Sequence, residues 1–511
     1  MRISPKQLFR IGVAVAVTAG VWVAPTHAQG SWVNSPLMDP SGYLRDDAYP
    51  PVPAPPAADQ AYAKLDGAHL KKDFMMPIMD ISLKSRDDGN KYWGRIAGTK
   101  YEAMTADLIE ANFRKFGLVD IHTQEFPLPP QWFVIDWNVS AESGGKTLTF
   151  KSLNPAVGSE PTPPGGLTAD AVWVGTGTPA DFLGRDVKGK AVLILSMLQP
   201  GNMGNSANWE GAIKRATSAG AAAVLVIWGY DDNQAVWQGL GPGIGSEGVK
   251  IPGFFMGWDD GRALRDMIGT GQRVTLKMNL KTEMRSGLKS LSAYGTLPGS
   301  TDENIIVMAH MDGYYQAALD NGSGLSVMEG LAEYFSKIPK ADRRRNIIFV
   351  GTAGHHAGSP NAAYLHAHRA DGLLSKTALM ISPEHVSFSE FSQWNTHFSQ
   401  TTALSGARWS VYGSDALTKI ALSAWREFGV PLTGVMDVTA SGEMSQIAHD
   451  APSLEIIRSP EFKHTDVDVP GIVPAVGLTR IARAYAKIID QANKLDLKDL
   501  QPASGRMQGN Q

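Results

Sequence analysis

The residues whose types and spacing can do chemistry are concentrated in residues 305–324, IIVMAHMDGYYQAALDNGSG. The apolar start of this segment predicts a buried strand. His310 and Asp312 follow the apolar run, and a glycine-rich turn then carries Asp320 and Asn321 into a helical pattern. Open α/β sheets bind ligands at the carboxyl ends of their strands, and histidine and carboxylate side chains are the ligand types that a hydrolytic zinc site needs.

More metal-capable residues follow strand-like patterns in the second half of the chain. They are the pair His355-His356, the pair Glu384-His385, and His464. Nine of the 12 histidines lie after residue 300, which concentrates this ligand type in one region. Because sheet topology brings the loops after neighbouring strands together, we expect these residues to converge with those of the first segment.

The composition is that of an ordinary globular protein, and it excludes several functions. The chain has 511 residues, 43% hydrophobic and 19% charged, which is enough for two or three domains. A formal net charge of −3 and the absence of a phosphate-cradling motif argue against a nucleic-acid partner. The chain has no cysteine, so a metal site must use His, Asp and Glu side chains.

The first 28 residues have the pattern of a signal peptide. Arg2, Lys6 and Arg10 form a basic start, residues 11–24 are apolar, and residues 26–28 offer a cleavage site. An uncleaved membrane anchor is the alternative, but the apolar run is shorter than the about 20 residues that span a bilayer. The pattern therefore predicts a periplasmic or secreted protein with no stable membrane anchor.

Alternating strand and helix patterns predict an α/β fold, with a mixed, mostly parallel sheet flanked by helices. A Pro- and Gly-rich stretch opens a second module that has its own strand–helix alternation. The predicted division is a signal peptide (1–28), a Pro-rich lead-in (29–60), a catalytic domain in two parts (61–154 and 288–495), an inserted module (155–287) and a disordered tail (496–511).

The segment HMDGYYQAALDNGSG resembles the signature of the two-zinc aminopeptidase and carboxypeptidase family, and the resemblance covers about residues 61–150 and 288–495. Residues 155–287 resemble the protease-associated domain, a small α/β module inserted in many exported peptidases. That second resemblance rests on DVKGK, on the helix exit at residues 219–221, and on IPGFFMGWDDGRAL. The family implies a zinc exopeptidase fold with two zinc ions sharing one water; a single ion or another divalent metal is the alternative.

The family's roles fall on individual residues of this sequence. His310 resembles the histidine ligand of one zinc, and Asp312 resembles the carboxylate that orients this histidine. Asp320 resembles the aspartate that bridges both metals, and Asn321 follows it across a strained bond. The other two matches are His464, at the late histidine that binds the second zinc, and Glu384, where the family usually has an aspartate ligand.

The departure from the family lies at His355-His356, where its members have a Glu-Glu pair. The first family glutamate is the general base, and the second is a ligand of the second zinc. The resemblance thus implies His355 as an altered general base and His356 as a metal ligand, since imidazole suits zinc. Three other interpretations stay open: a metal centre acting on a non-peptide amide or ester, a binding protein that has lost catalysis, and a pair that merely lies near the site.

The sequence therefore predicts an exported zinc-dependent hydrolase that cleaves a peptide or small amide bond with metal-activated water. Glu443 is a further candidate, as a base or as an anchor for a substrate amine, although a solvated loop glutamate is the simpler interpretation. His385, beside Glu384, has the same standing. Tyr314 and Tyr315 fit the wall of a substrate pocket and fit a core equally well.

Overall fold

The computed structural model describes most of the chain. The described residues are 37–39, 41–197, 209–229, 233–239, 250–358, 362–394, 397–436, 443–445, 447–458 and 462–502. The predicted signal peptide and the first part of the predicted lead-in lie outside these residues. Within the described ranges, no helix is both long enough and apolar enough to cross a membrane.

The strands of the described residues form two large sheets and two small ribbons. In chain order they are β1 (Gly94–Arg95), β2 (Val119–Pro127), β3 (Gln131–Ser143), β4 (Lys146–Thr149), β5 (Asn154–Pro155), β6 (Leu167–Trp173), β7 (Ala191–Leu195), β8 (Ala223–Ile227), β9 (Gly253–Met256), β10 (Thr275–Arg285), β11 (Lys289–Leu297), β12 (Asn304–His310), β13 (Gly313–Tyr314), β14 (Asn346–Thr352), β15 (Thr377–Pro383), β16 (Ser389–Trp394), β17 (His397–Leu404), β18 (Ala407–Tyr412), β19 (Leu432–Val435) and β20 (Ser453–Ile457).

The α-helices of the described residues alternate with these strands. They are α1 (Gly67–Leu70), α2 (Met76–Asp87), α3 (Lys100–Phe116), α4 (Trp209–Ser218), α5 (Trp258–Gly269), α6 (Gly324–Ser336), α7 (Ala363–Ala367), α8 (Asp415–Glu427), α9 (Ala475–Ala492) and α10 (Leu497–Leu500). Short 3-10 and π turns lie between them, at Asp46–Ala48, Ala57–Lys64, Lys71–Met75, Ala180–Phe182, Ala318–Ser323, Lys340–Asp342, His355–Ala357, Leu374–Lys376 and Pro470–Ile472.

The main sheet has the strand order β19-β18-β20-β15-β12-β14-β11-β2. Its centre is parallel, because β12 pairs in parallel with β14 and β15, and β15 pairs in parallel with β20. Antiparallel pairs then extend the sheet on both sides, through β11 on one side and β18 on the other. This confirms the predicted α/β fold with a mixed sheet flanked by helices.

Strand β12 shows why this sheet is covered on both faces. All of its seven residues are buried, as expected for a central parallel strand. Ile305 and Val307 join the hydrophobic cluster on one face, whereas Ile306 and Met308 join the cluster on the other. The side chains alternate because successive residues of a strand point to opposite faces. The strand is thereby fixed from both sides, and His310 at its end is fixed with it.

The second large sheet has the order β4-β3-β10-β6-β7-β8-β9-β5, with parallel pairing from β6 to β9. It contains β3 and β4, which precede the start of the inserted module predicted at residue 155. The domain boundaries, and the resemblance of this module to a protease-associated domain, stay predictions.

Residues 131–285, which form the second large sheet and the connections between its strands, are called the second sheet module. This module contacts the main domain through a short stretch of backbone pairing. Val236 forms an antiparallel bridge with Thr465. On either side of this bridge, the Trp237 backbone N–H donates to the His464 carbonyl at 2.9 Å, and the Ala235 N–H donates to the Asp466 carboxylate at 3.0 Å. The module is therefore hydrogen-bonded directly to the loop that carries His464.

Two terminal segments are more ordered than the composition predicted. In the Pro-rich lead-in, Tyr49 is buried, and its hydroxyl lies 2.6 Å from the Ser389 hydroxyl. In the predicted disordered tail, helix α10 ends at Leu500, whose side chain is fully buried. The prediction of disorder from residue 496 is thus wrong for the first residues of the tail, because Leu500 packs into the core and its carbonyl accepts the Ser414 N–H at 2.9 Å.

Candidate metal centre

The candidate centre lies at the carboxyl ends of β12, β14 and β15 and in the loop that follows β20. Donor atoms of the side chains there approach within 4.8 Å of one another in three overlapping groups. These groups contain seven of the residues that the sequence pointed to: His310, Asp312, Asp320, His355, His356, Glu384 and His464. His385 is in none of these three groups. Their roles as ligand or base stay predictions.

Asp320 is the centre of the cluster, because each of its carboxylate oxygens faces two imidazoles. Oδ1 lies 3.0 Å from His310 Nε2 and 3.1 Å from His385 Nε2. Oδ2 lies 3.1 Å from His464 Nε2 and 3.6 Å from His356 Nε2. All five side chains are at most 7% exposed. A single buried carboxylate is thus shared by four histidines.

Asp312 holds two of these histidines in position. The Nδ1 of His310 lies 3.1 Å from the Asp312 carbonyl oxygen, and the Nδ1 of His356 lies 3.1 Å from Asp312 Oδ2. The carboxylate also accepts the backbone N–H groups of His355 at 3.2 Å and of His356 at 2.8 Å. In a neutral histidine that donates from Nδ1, Nε2 is an acceptor, so each of the two rings has a lone pair for a metal ion on the Asp320 side once it is neutral.

The other two histidines are anchored by different acceptors. His385 directs its Nδ1 to the carbonyl oxygen of Arg458 at 2.9 Å. His464 directs its Nδ1 to Oε1 of Gln238, which belongs to the second sheet module, at 3.3 Å. All four rings around Asp320 therefore have Nδ1 next to an oxygen acceptor and Nε2 turned toward the carboxylate.

The remaining two predicted residues lie on the His310 side of the cluster. The His355 ring stacks on the His310 ring, with 4.3 Å between centroids and 12° between planes. Glu384 approaches both rings closely enough to form one of the candidate metal groups. Its Oε1 lies 3.9 Å from His385 Nε2, and its Oε2 has no hydrogen-bond partner among the described residues.

Glu443 is a buried partner of His355, and the simpler interpretation of a solvated loop glutamate is wrong. Its side chain is fully buried, and its Oε1 lies 3.0 Å from the Nδ1 of His355. Its Oε2 accepts the Ala362 N–H at 3.0 Å. Both carboxylate oxygens are thus engaged, so Glu443 orients His355 and is not placed to contact a substrate amine.

The donor atoms of the cluster fit a metal ion better than they fit one another. His310 Nε2, His385 Nε2, both Asp320 oxygens and Glu384 Oε2 are buried and have no hydrogen-bond partner in the described part of the chain. Leaving such atoms unpaired costs about 1–3 kcal/mol each. Two ligands bound tetrahedrally at 2.0–2.1 Å from a zinc ion are separated by about 3.3 Å, close to the distances around Asp320.

The electrostatics of the cluster also favour a bound cation. Burial alone would raise the pKa of Asp320, but the His385 and His356 imidazoles hold it well below its usual range. Burial lowers the pKa of His464 to about 3, which keeps this ring neutral and able to bind a metal. Burial also opposes charge on His310, yet Asp312 and Asp320 raise its pKa well above the ordinary value. Protons and metal ions therefore compete for the same negative potential.

Arg95 fixes the loop between His310 and Asp320. Its guanidinium is completely buried and donates to the carbonyl oxygens of Met311 at 2.9 Å, Gln316 at 2.8 Å and Ala317 at 3.3 Å. The opposite side of this loop is held by Asp468, which accepts the Leu319 N–H at 2.7 Å and the Asp320 N–H at 3.2 Å. Burial raises the pKa of Asp468 to about 7.

The turn that follows Asp320 depends on a close backbone approach. The peptide bond from Asp320 to Asn321 is cis. The Asn321 side chain donates to the Pro383 carbonyl at 3.0 Å and accepts the Gly324 N–H at 3.0 Å. A Cβ atom at position 324 would lie 2.0 Å from the same carbonyl oxygen, so only glycine fits there. This turn connects β12 to β15 and keeps the two strand ends adjacent.

Tyr314 fills the space between the cluster and the second sheet module. Its ring centroid lies 5.1 Å from both the His356 and the His464 rings. It also lies 5.7 Å from the Tyr92 ring, in a narrow aromatic cavity that Trp132 helps to line. Tyr314 therefore walls the site, whereas Tyr315 packs against Asn154 of the second sheet module.

Sequence reasoning missed three residues of the site: Arg95, Gln238 and Asp468. Arg95 and Gln238 lie more than 200 residues from the groups they hold, in segments without a chemical motif. Asp468 does have a local cue, because it follows His464 in the acidic stretch TDVD. An aspartate four residues after a candidate ligand is a reasonable search target for a residue that supports the site.

The middle of the chain matches a known family. Residues 293–413 match the model of Peptidase family M28. The chain is 32% identical to Aminopeptidase YwaD of Bacillus subtilis (strain 168) over 261 residues, which are 50% of each protein. It is 22% identical to Carboxypeptidase Q of Bos taurus over 286 residues, which are 54% of this chain and 59% of that protein. The chain thus spans between half and three fifths of the length of these curated relatives.

The fold of the described chain is shared with solved structures over a larger extent. A zinc aminopeptidase from Bacillus subtilis, BSAP, aligns with a TM-score of 0.58 and 23% identity, over 88% of this chain and 99% of that one. A Peptidase M28 precursor from Shewanella amazonensis SB2B aligns with a TM-score of 0.67 and 17% identity, over 87% and 98%. Residues 293–413 are thus similar to Peptidase family M28, and the described chain shares the fold of these solved structures.

Proposed function

We propose that the chain is an exported zinc-dependent hydrolase that cleaves a peptide bond next to an N-terminus, or another small amide bond. The observation that carries this proposal is the buried carboxylate of Asp320, which four imidazoles surround and whose oxygens make no hydrogen bond with described residues. The match to Peptidase family M28 supports the same class of reaction. The pattern of residues 1–28 supports export.

The proposed ligands follow from the contacts around Asp320. His310 lies on the Oδ1 side, and His356 and His464 lie on the Oδ2 side, which supports the proposal that Asp320 bridges two metal ions. Two zinc ions held there would polarise the scissile carbonyl and lower the pKa of a water molecule. The other steps belong to the side chains of this chain.

His355 is proposed to move the proton. Glu443 holds its Nδ1, so Nε2 is the proton acceptor. In the proposed reaction, Nε2 takes a proton from the attacking water while the water oxygen bonds to the carbonyl carbon. The proton then passes to the nitrogen that leaves when the C–N bond breaks. At 13% exposed, His355 is the most accessible histidine of the cluster, which suits a group that meets the substrate.

Asp312 is proposed to set the geometry of this step. It accepts the backbone N–H groups of both His355 and His356, and it also holds the His356 ring. The proton acceptor and one proposed ligand are therefore fixed to the same carboxylate. Because the Asp312 carboxylate also lies 3.4 Å from Nδ1 of His310, loss of its charge would disturb both sides of the centre.

The first experiment measures metal and turnover together. The chain starting after residue 28 is purified, its zinc content is measured, and aminoacyl anilides, peptide amides and simple esters are tested with and without a chelator. The proposal expects bound zinc and amide hydrolysis that the chelator abolishes. Zinc without turnover of any amide or ester would favour a binding protein on this fold, and absence of metal would reject the proposal.

A pair of variants then separates the base from the ligand. We expect His355→Ala to keep its zinc and to lose about 100-fold or more in kcat, because a positioned base contributes on this scale. We expect His356→Ala to lose zinc. His122→Ala, an exposed histidine on β2, is the matched control and should change neither quantity. Unchanged kcat in His355→Ala would reject the base assignment.

A further inference from the structure

We propose that His385 is a metal ligand, so that four imidazoles and one bridging carboxylate hold the two ions. This inference rests on the proposed metal centre and changes its composition. On the Oδ1 side of Asp320, the pair of imidazoles is His310 and His385; on the Oδ2 side, it is His356 and His464. Each ion would therefore have two histidine ligands and one oxygen of Asp320.

The His385 ring is oriented by a hydrogen bond at Nδ1, which turns Nε2 toward Asp320. Its Nδ1 lies 2.9 Å from the Arg458 carbonyl oxygen, which can only accept a hydrogen bond. Nδ1 therefore carries the proton, and Nε2 carries a lone pair. This atom is buried and lies 3.1 Å from Asp320 Oδ1, yet no hydrogen bond joins it to any described residue. When the ring is neutral, two electron-rich atoms face each other in this arrangement, and a metal ion between them would turn this repulsion into two favourable contacts.

His385 and His310 contact Asp320 in the same way. Both Nε2 atoms approach the same oxygen of Asp320, at 3.1 Å and 3.0 Å, and both lack a hydrogen bond within the described residues. Both rings direct Nδ1 to a backbone carbonyl oxygen, that of Arg458 for His385 and that of Asp312 for His310. A residue with the same contacts as a proposed ligand, on the same oxygen, is placed to bind the same ion.

The backbone at His385 and at His464 has a positive φ angle. His385 has φ of 48°, and His464 has φ of 63°. Positive φ is uncommon for residues other than glycine, asparagine and aspartate, and it concentrates at functional sites. The chain thus adopts the same unfavourable conformation at both positions, and in both cases the result is an imidazole turned toward Asp320.

Glu384, the neighbouring residue, takes a different position. Its Oε1 is 3.9 Å from His385 Nε2, and it groups with His310 and His355. It therefore lies beside the proton acceptor of the proposed reaction. We infer that Glu384 does not replace His385 as the ligand on the Oδ1 side.

The proposed ligand set has a consequence for the metals that bind. Imidazole nitrogen suits zinc, copper, nickel and iron, whereas carboxylate and carbonyl oxygens suit magnesium, calcium and manganese. With four imidazoles and one carboxylate, the centre should bind zinc or cobalt much more tightly than magnesium or manganese. A centre in which a glutamate took the place of His385 would discriminate less.

The test counts zinc ions and histidine ligands separately. Purified full chain is loaded with zinc, dialysed and analysed for zinc per chain. The proposal expects two ions in the wild type and in Glu384→Gln, and one ion in His385→Ala and in His310→Ala. Two ions in His385→Ala with unchanged affinity, together with loss of one ion in Glu384→Gln, would overturn the proposal while leaving the metal centre intact. No zinc in the wild type would overturn both.

A measurement on the wild type tests the same ligand set without a substitution that could prevent folding. Chain labelled with 15N-histidine is loaded with 113Cd, and the couplings from each cadmium resonance to imidazole nitrogens are counted. The proposal expects two coupled nitrogens for each of two cadmium ions. A cadmium coupled to only one imidazole nitrogen would overturn it. This readout requires neither turnover nor a substitution.

Discussion

The Nε2 atoms of His356 and His464 face each other at 3.1 Å. Both rings have Nδ1 next to an oxygen acceptor, so in the neutral state both Nε2 atoms carry lone pairs. Without metal, one ring must take a second proton. Burial lowers the pKa of His464 to about 3, whereas Asp312 and Asp320 raise the pKa of His356 against the effect of burial, so His356 takes it. This contact is poor without a cation and favourable around one.

Metal removal should therefore destabilise the fold. Ions that bind only the folded chain stabilise it by about 3 kcal/mol at a hundredfold excess over Kd, which corresponds to a fall in Tm of about 5 °C or more on removal. The check is thermal unfolding at pH 7.5 before chelation, after chelation, and after zinc is added back. Equal Tm values in all three samples would mean that no ion is bound at this position.

The histidines around Asp320 show how much of the site could be predicted from the sequence. His310, Asp320 and His464 were predicted because strand ends meet at one edge of a parallel sheet, and the structure brings them together. His385 was harder to recognise, because Glu384 and His385 are adjacent and both are possible ligands. The choice between them depends on the positive φ at His385 and on the position of the Arg458 carbonyl, which are tertiary features.

The supporting groups depend on contacts that no local pattern records. Arg95 ends the short strand β1 and has no motif, yet it holds three carbonyl groups of the loop between His310 and Asp320. Gln238 lies 226 residues before its partner His464, in the other sheet module. Such long-range hydrogen bonds follow from the packed fold and not from spacing along the chain.

Glu443 offers a test of the proton acceptor. Replacement of Glu443 by Gln keeps the size of the side chain but removes the charge that holds Nδ1 of His355. We expect kcat to fall about 10- to 100-fold, with KM changed less than about threefold and zinc content unchanged, because the partner of a functional imidazole contributes on this scale. Steady-state kinetics and zinc analysis check this.

The matching control for this prediction is Glu329→Gln, a second buried glutamate, on helix α6. Glu329 is hydrogen-bonded to Asn112 and is absent from the candidate metal groups of the described residues. The Glu329→Gln substitution should leave kcat unaltered. A fall in zinc content in Glu443→Gln would instead make Glu443 part of the support of the metal.

Gln238 links the second sheet module to the proposed second metal site. Its Oε1 is the acceptor for Nδ1 of His464, so Gln238→Ala should let this ring rotate and should weaken one zinc about tenfold. The other zinc should bind as before. Competition with a chromophoric chelator resolves the two affinities, and Gln272→Ala, an exposed glutamine of the same module, is the control. Two unchanged affinities would mean that the module does not support the centre.

The buried carboxyl group of Glu329 should make the free energy of unfolding depend on pH, and this effect does not depend on metal. The carboxyl group is fully buried on helix α6, and burial raises its pKa to about 8, although the Asn112 side chain donates to its Oε1 at 2.7 Å. Its Oε2 has no partner among the described residues. The folded chain thus keeps a proton on Glu329 that the unfolded chain releases above its ordinary pKa, near 4.5.

The sign of the effect follows from this difference. Between about pH 4.5 and pH 8 the folded state binds more protons at this position, so the free energy of unfolding falls as the pH rises. Glu329→Gln removes the titrating group and keeps an acceptor for Asn112. We expect the variant to match the wild type near pH 4.5 and to exceed it by about 4 kcal/mol at pH 8.

Urea unfolding of the metal-free wild type and variant from pH 4.5 to pH 8 measures this difference. Glu333→Gln, on the same helix, is the contrasting control. Burial would raise the pKa of Glu333, but His69 and Lys337 lower it, so its carboxylate stabilises the fold at every pH above its unfolded pKa, near 4.5. Glu333→Gln should therefore lose stability where Glu329→Gln gains it. A difference between wild type and Glu329→Gln that is constant across the range would show that Glu329 titrates alike in the folded and unfolded chains.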